Sequence, residues 1–115
     1  MTEIQAQKEF CRLANRQGAH AIRLNDRYNI GIPDINMGWA GTDWWLEMKL
    51  ERGEVTAQQR DFLVLRRPRG LVLRVYDKGM ELCDPALSGT GQWVSGLFPE
   101  ATHKILQLLA HRAVR

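Results

Sequence analysis

Cysteine is scarce in this chain: Cys11 and Cys83 are the only two, and their separation fits no metal or redox spacing. Both are expected to be reduced thiols of a cytoplasmic protein. Histidine is nearly as rare. His103 and His111 lie eight positions apart, and neither has a partner at metal-ligand spacing. No apolar run approaches the length of a membrane span, so no membrane association is expected. Met1-Thr2-Glu3-Ile4-Gln5 lacks a basic and then apolar lead, so no signal peptide is expected. Repeats, linkers and low-complexity tracts are absent, as are a zinc finger and a helix-turn-helix. Charge of neither sign dominates. Sixteen Lys and Arg against 13 Asp and Glu leave a net +3, which permits nucleic acid as a partner without diagnosing it. At 115 residues, with 44% hydrophobic and 25% charged, the chain is expected to form a single domain, residues 1–115, with a modest core.

What the chain does have is a pair of short motifs on neighbouring strands. Trp44-Trp45-Leu46-Glu47-Met48-Lys49-Leu50 is aromatic and apolar without Gly or Pro, and predicts a strand. Alternation puts Glu47 and Lys49 on one face, with Trp45, and Trp44, Leu46, Met48 and Leu50 on the other, which is the core face. Gly31-Ile32-Pro33-Asp34 precedes a strand over Ile35–Trp39, and a turn around Ala40-Gly41-Thr42 folds the chain back. In such a hairpin the start of one strand lies beside the end of the next, so Asp34 is expected near Glu47 and Lys49. Two carboxylates beside an amine suit metal-dependent phosphodiester hydrolysis. Hard oxygens hold Mg²⁺ with open water positions, and the metal and the amine activate or orient the attacking water.

Around this centre the sequence predicts a helix over about Glu3–Gln17, capped by Thr2, and a strand over Ala19–Leu24. The polar segment Asn25–Ile30 runs straight into Pro33-Asp34. Arg23, Arg27 and Tyr28 there are candidates for meeting phosphates or stacking on a base, or simply parts of a polar loop. Thr56, with Gln59 three residues later, forms a capping box at the start of a second helix. Arg66-Arg67-Pro68-Arg69-Gly70 ends that helix, its arginines either touching phosphate or complementing the helix C-terminus. Leu71–Tyr76 predicts a strand parallel to its predecessor, since a helix crossover precedes it. Asp77-Lys78-Gly79 turns into a short edge strand, Met80–Cys83, followed by a loop from Asp84 to Gly96. A last helix, Pro99 to about Ala113, carries the apolar stripe Ile105, Leu106, Leu108 and Leu109.

Pro33-Asp34 together with Glu47-Met48-Lys49 resembles the PD-(D/E)xK nuclease superfamily. Gly31-Ile32-Pro33-Asp34 and the helix Thr56-Ala57-Gln58-Gln59-Arg60-Asp61-Phe62-Leu63 resemble its virus-type replication–repair branch (VRR-NUC), which is similar to archaeal-type Holliday junction resolvases. The match spans roughly Glu3 to Tyr76. The resemblance implies an α/β fold with a mixed sheet, an antiparallel meander plus a parallel strand, flanked by helices on both faces. It implies Asp34, Glu47 and the Met48 carbonyl as metal ligands and Lys49 as the residue that positions and helps deprotonate water. It sends Gln59 to the active site, where an amide can bind a water or phosphate, as the alternative to a purely capping role. It also implies a glutamate of the first helix at the metal, Glu3 or else Glu9.

The expected function is a Mg²⁺-dependent endonuclease cutting branched DNA, with Mn²⁺ able to substitute and no small-molecule cofactor. Products would carry a 5′-phosphate and a 3′-hydroxyl. A homodimer is expected, joined through the last helix or the Met80–Cys83 edge, in the cytoplasm of a bacterium or phage-infected host. The alternatives are a monomeric flap or nicking nuclease and a non-catalytic DNA-binding replication accessory protein.

Overall fold

A two-residue turn sets the register of the central hairpin. Ala40 and Gly41 both take positive φ, 54° and 71°, the conformation that matches the twist of a tight hairpin. Trp39 therefore pairs with Thr42, and the ladder runs back to Ile35 opposite Leu46. The computed structural model describes residues 1–25, 31–87 and 91–113. Their order is α1 (Glu3–Arg16), β1 (His20–Arg23), β2 (Ile35–Trp39), β3 (Thr42–Leu50), α2 (Ala57–Val64), β4 (Gly70–Tyr76), β5 (Gly79–Cys83), β6 (Gly91–Ser95) and α3 (Phe98–Ala113). The six strands lie side by side in chain order. Every neighbouring pair is antiparallel except β3 and β4, which α2 connects as a parallel pair.

The mixed α/β architecture is the one expected. One face of the sheet is dry. Ile35, Met37, Trp44, Leu46, Met48, Leu71 and Leu73 pack there against Ala6, Phe10 and Ala14 of α1 and Ile105, Leu106 and Leu109 of α3. The alternation in β3 falls as predicted: Trp44, Leu46 and Met48 are buried in this core, and Leu50 packs against it. Trp39 Nε1 donates to the Leu106 carbonyl at 2.7 Å, tying the hairpin to α3. The opposite face carries Trp45, Glu47 and Lys49. There α2 lies over β3, with Phe62 edge-on to Trp45 at a centroid distance of 5.4 Å.

Two expectations need correction, and one open choice is decided. The segment Asp84–Gly96 is not all loop, because Gly91–Ser95 forms β6. Met80–Cys83 is consequently not an edge, since β6 covers it from Gly79↔Ser95 to Cys83↔Gly91. The strand was hidden because only Val94 of its five residues is buried, leaving no apolar alternation to read. The stripe of α3 is spent on the core. Ile105, Leu106 and Leu109 are at most 1% exposed, and Leu108 is partly buried against them. Each such buried side chain contributes about 1.5–3 kcal/mol, so the stripe cannot be lent to a partner without unpacking the fold. Both surfaces expected to join two copies are thus occupied within one chain.

Candidate active site

The register that starts at Ala40-Gly41 ends at the site. Ile35 opposite Leu46 puts Asp34, one step earlier, across from Glu47. Asp34 Oδ2 accepts the Met48 N–H at 3.0 Å, so this carboxylate caps the strand edge where β2 begins. Because N–H and C=O of a strand residue leave the same edge, the Met48 carbonyl also faces the Asp34 side.

Gly31 holds φ +99°, and a side chain there would meet Gln58 of α2, with the nearest atom 2.7 Å from its Cβ. Only glycine lets the approach to Asp34 lie so close to α2. This is the physical role of the first residue in Gly31-Ile32-Pro33-Asp34.

Glu47 is 1% exposed. Its Oε2 accepts from Gln59 Nε2 at 3.1 Å and lies 3.4 Å from Lys49 Nζ. Its Oε1 is buried with no hydrogen-bond partner among the described residues. Burial, reinforced by the Asp34 charge and only partly offset by Lys49, pushes the Glu47 carboxyl up to about 8. A buried acceptor left without a donor, next to a second carboxylate, can be satisfied by a proton or by a bound cation.

Gln59 both caps its helix and hydrogen-bonds Glu47. Its Oε1 accepts from Thr56 N at 3.0 Å, while Thr56 Oγ1 accepts from Gln59 N at 3.2 Å. The amide nitrogen remains available for Glu47. The capping box thus aims Gln59 into the site.

Glu3 and Glu9 part ways. Glu9 pairs with Arg12 on the outer surface of α1. Glu3 reaches the end of β3, where its Oε2 accepts the Leu50 N–H at 3.3 Å. It does not join the carboxylate pair, since among the described residues no group of three or more His, Cys, Asp or Glu converges as a metal cage. The oxygens at this point that could hold a metal are those of Asp34, Glu47 and the Met48 carbonyl. That suits Mg²⁺, which binds through one or two carboxylates and keeps several waters.

The basic candidates separate as well. Arg23 donates from Nε to Gln7 Oε1 at 3.1 Å, which ties it to α1. Arg27 and Tyr28 lie outside the described residues. Arg66 lies over the Phe62 ring, 3.4 Å from its centroid, with Trp45 at 5.3 Å, and donates to the Phe62 carbonyl at 3.1 Å. Arg67 pairs with Asp84 at 3.0 Å. Arg69 is exposed, and no side-chain bond to it is seen among the described residues. With Asp43, Trp45 and Pro68 these arginines line a hollow of about 400 Å³ on the Glu47 face of β3. Arg74 and Gly53 lie at the other end of β3, beside Lys49, and no motif marked them. Their proximity depends on the parallel pairing of Lys49 with Arg74.

Among solved structures, the fold is similar to that of Hjc of Archaeoglobus fulgidus, a Holliday junction resolvase from an archaeal hyperthermophile, with a TM-score of 0.59. The match covers 96% of this chain and 98% of that one at 16% identity, a likeness of fold. No protein-family model and no curated protein matches the sequence.

Proposed function

We propose that the chain is a Mg²⁺-dependent, structure-selective DNA endonuclease of resolvase type, acting on branched DNA, with Mn²⁺ able to replace Mg²⁺. The observation that carries this reading is the convergence of Asp34, Glu47, Lys49 and Gln59 at one end of β3, with one Glu47 oxygen buried and unpartnered.

Asp34, Glu47 and the Met48 carbonyl would hold the metal, which when bound supplies Lewis acidity and lowers the pKa of water. Gln59 keeps the Glu47 carboxylate oriented. Lys49, held 3.4 Å from Glu47, directs its ammonium to where water attacks phosphorus and offsets the negative charge that grows on the phosphoryl oxygens. The P–O bond to the 3′ oxygen breaks, leaving a 5′-phosphate and a 3′-hydroxyl. The motif Gly31-Ile32-Pro33-Asp34 and the Thr56–Leu63 helix support placing the chain in the virus-type branch, of phage or phage-derived origin.

Junction resolution needs two incisions and therefore two copies, most simply a symmetric homodimer. The filling of the α3 stripe and the cover of β5 by β6 favour the second reading, a monomeric flap or nicking nuclease. Cleavage of labelled four-way junction, flap, splayed and linear duplexes side by side, with Mg²⁺, Mn²⁺ or EDTA, tests both. Paired symmetric cuts in the junction are expected, from a species that sediments as a dimer on DNA. Cuts confined to flaps or single nicks from a strict monomer select the second reading. No metal-dependent cleavage of any substrate leaves a DNA-binding accessory protein.

A further inference from the structure

Arg74 belongs to β4 and pairs in register with Lys49, yet its guanidinium does not turn toward the carboxylates. Its Nη1 donates to the carbonyls of Leu50 at 3.0 Å and Glu51 at 3.4 Å, and also to that of Gly53. One charged donor therefore gathers three carbonyls of the single turn between β3 and α2. Carbonyls grouped this way need a cation or water, and a guanidinium supplies several donors in a fixed plane.

The same turn seats Lys49 of the site and, beside it, Glu3. A Cβ on Gly53 would fall 2.7 Å from Glu3 Oε2 and 3.2 Å from Lys49 Cδ. Glu3 and the stem of Lys49 therefore rest against bare backbone at this position. The tie is closed by Leu50, whose N–H donates to Glu3 while its carbonyl accepts from Arg74. Glu3, Leu50, Gly53, Lys49 and Arg74 form one connected unit at the end of β3.

We infer that Arg74 is a positioning residue of the site: it clamps the Leu50–Gly53 turn and through it fixes where Glu3 and the Lys49 side chain stand. This deepens the nuclease reading and rests on it for its consequence in rate, while the clamp itself has a readout independent of catalysis. Misplacing a catalytic group by about 1 Å costs on the order of a hundredfold in rate, so a device of this kind is worth keeping even where it touches no substrate.

Arg74→Met, Arg74→Lys and Gly53→Ala test it in the full chain by amide hydrogen exchange alongside cleavage. In Arg74→Met the Leu50 amide is expected to lose protection by about tenfold or more, while the Met48 amide, bonded to Asp34, keeps its own. Gly53→Ala should reproduce that local loss with Arg74 intact, by displacing Glu3. Arg74→Lys, with one compact ammonium in place of the fork, should fall between. The single-turnover rate on saturating DNA should drop about ten- to a hundredfold in Arg74→Met. Junction affinity measured in EDTA should change by less than about twofold. If Arg74→Met does not fold, the other two variants carry the test. Unchanged Leu50 protection overturns the inference. So does weaker DNA binding at an unchanged rate, which would make Arg74 a DNA contact. If the wild-type chain cuts no DNA, the nuclease reading fails and exchange at Leu50 still decides the clamp.

Discussion

Gln59 reaches Glu47 while still capping its own helix: Nε2 donates to Glu47 Oε2 at 3.1 Å and Oε1 accepts the Thr56 N–H at 3.0 Å. One amide spends its donor on the site and its acceptor on α2, so helix start and carboxylate orientation are coupled.

Thr56→Ala and Gln59→Leu are expected to destabilise the protein alike, by about 1 kcal/mol, since each removes half of the capping box. Only Gln59→Leu should also lower cleavage, because only it removes the donor to Glu47. Thermal melts and cleavage rates measured on the same preparations check this. Equal activity in the two variants would assign Gln59 to capping alone.

Asp34→Asn and Glu47→Gln each remove a ligand charge at nearly constant volume. Cleavage should vanish in both, with the circular dichroism spectrum unchanged. Mg²⁺-dependent cutting retained by either purified variant would contradict the site.

The raised Glu47 carboxyl makes metal-free stability depend on pH. Its pKa is about 8 in the folded chain against 4.5 ordinarily, so the folded state holds a proton that the unfolded state has released across that window. Stability contributed by this group is full below about pH 4.5 and declines as pH rises toward 8. Melting temperature in EDTA should fall over that range, and Glu47→Gln should flatten the fall. Mg²⁺ or Mn²⁺ should restore stability most at the alkaline end, where the carboxylate is free of its proton. A pH-independent difference between wild type and Glu47→Gln would mean that Glu47 titrates normally.

Lys49→Ala should slow cleavage by on the order of 10²–10⁴-fold while weakening DNA binding little, because a single phosphate contact is a small part of binding. Rates under saturating DNA and affinities in EDTA separate the two. A common small drop in both would make Lys49 a contact residue only.

The arginines after α2 should no longer behave as a set. Arg69→Ala is expected to reduce the slope of log affinity against log salt by about 0.9, the value for one lost phosphate contact. Arg66→Ala, which removes the stack on Phe62 and the bond to its carbonyl, should lower stability instead. Arg67→Ala, paired with Asp84, should leave the slope nearly unchanged. Three equal slope changes would show that all three reach phosphate.

The meeting of Asp34, Glu47 and Lys49 was legible in the sequence because it is local. Alternation assigns faces within β3, and a two-residue turn at Ala40-Gly41 fixes which residue of β2 each one faces. The capping box at Thr56 was readable for the same reason, as the bonds span three residues. Neither the division of labour within Gln59 nor the places taken by Glu3 and Glu9 were readable, because both depend on where a helix packs against β3. β6 was invisible because a strand with one buried side chain is held by its neighbour β5 and not by its own pattern. The apolar stripe of α3 was plain in the sequence, but whether a core or a partner takes it depends on the sheet it meets. The Arg74 clamp lies furthest from the sequence: it joins residues more than twenty positions apart, and only the α2 crossover, by setting β4 parallel to β3, brings them together.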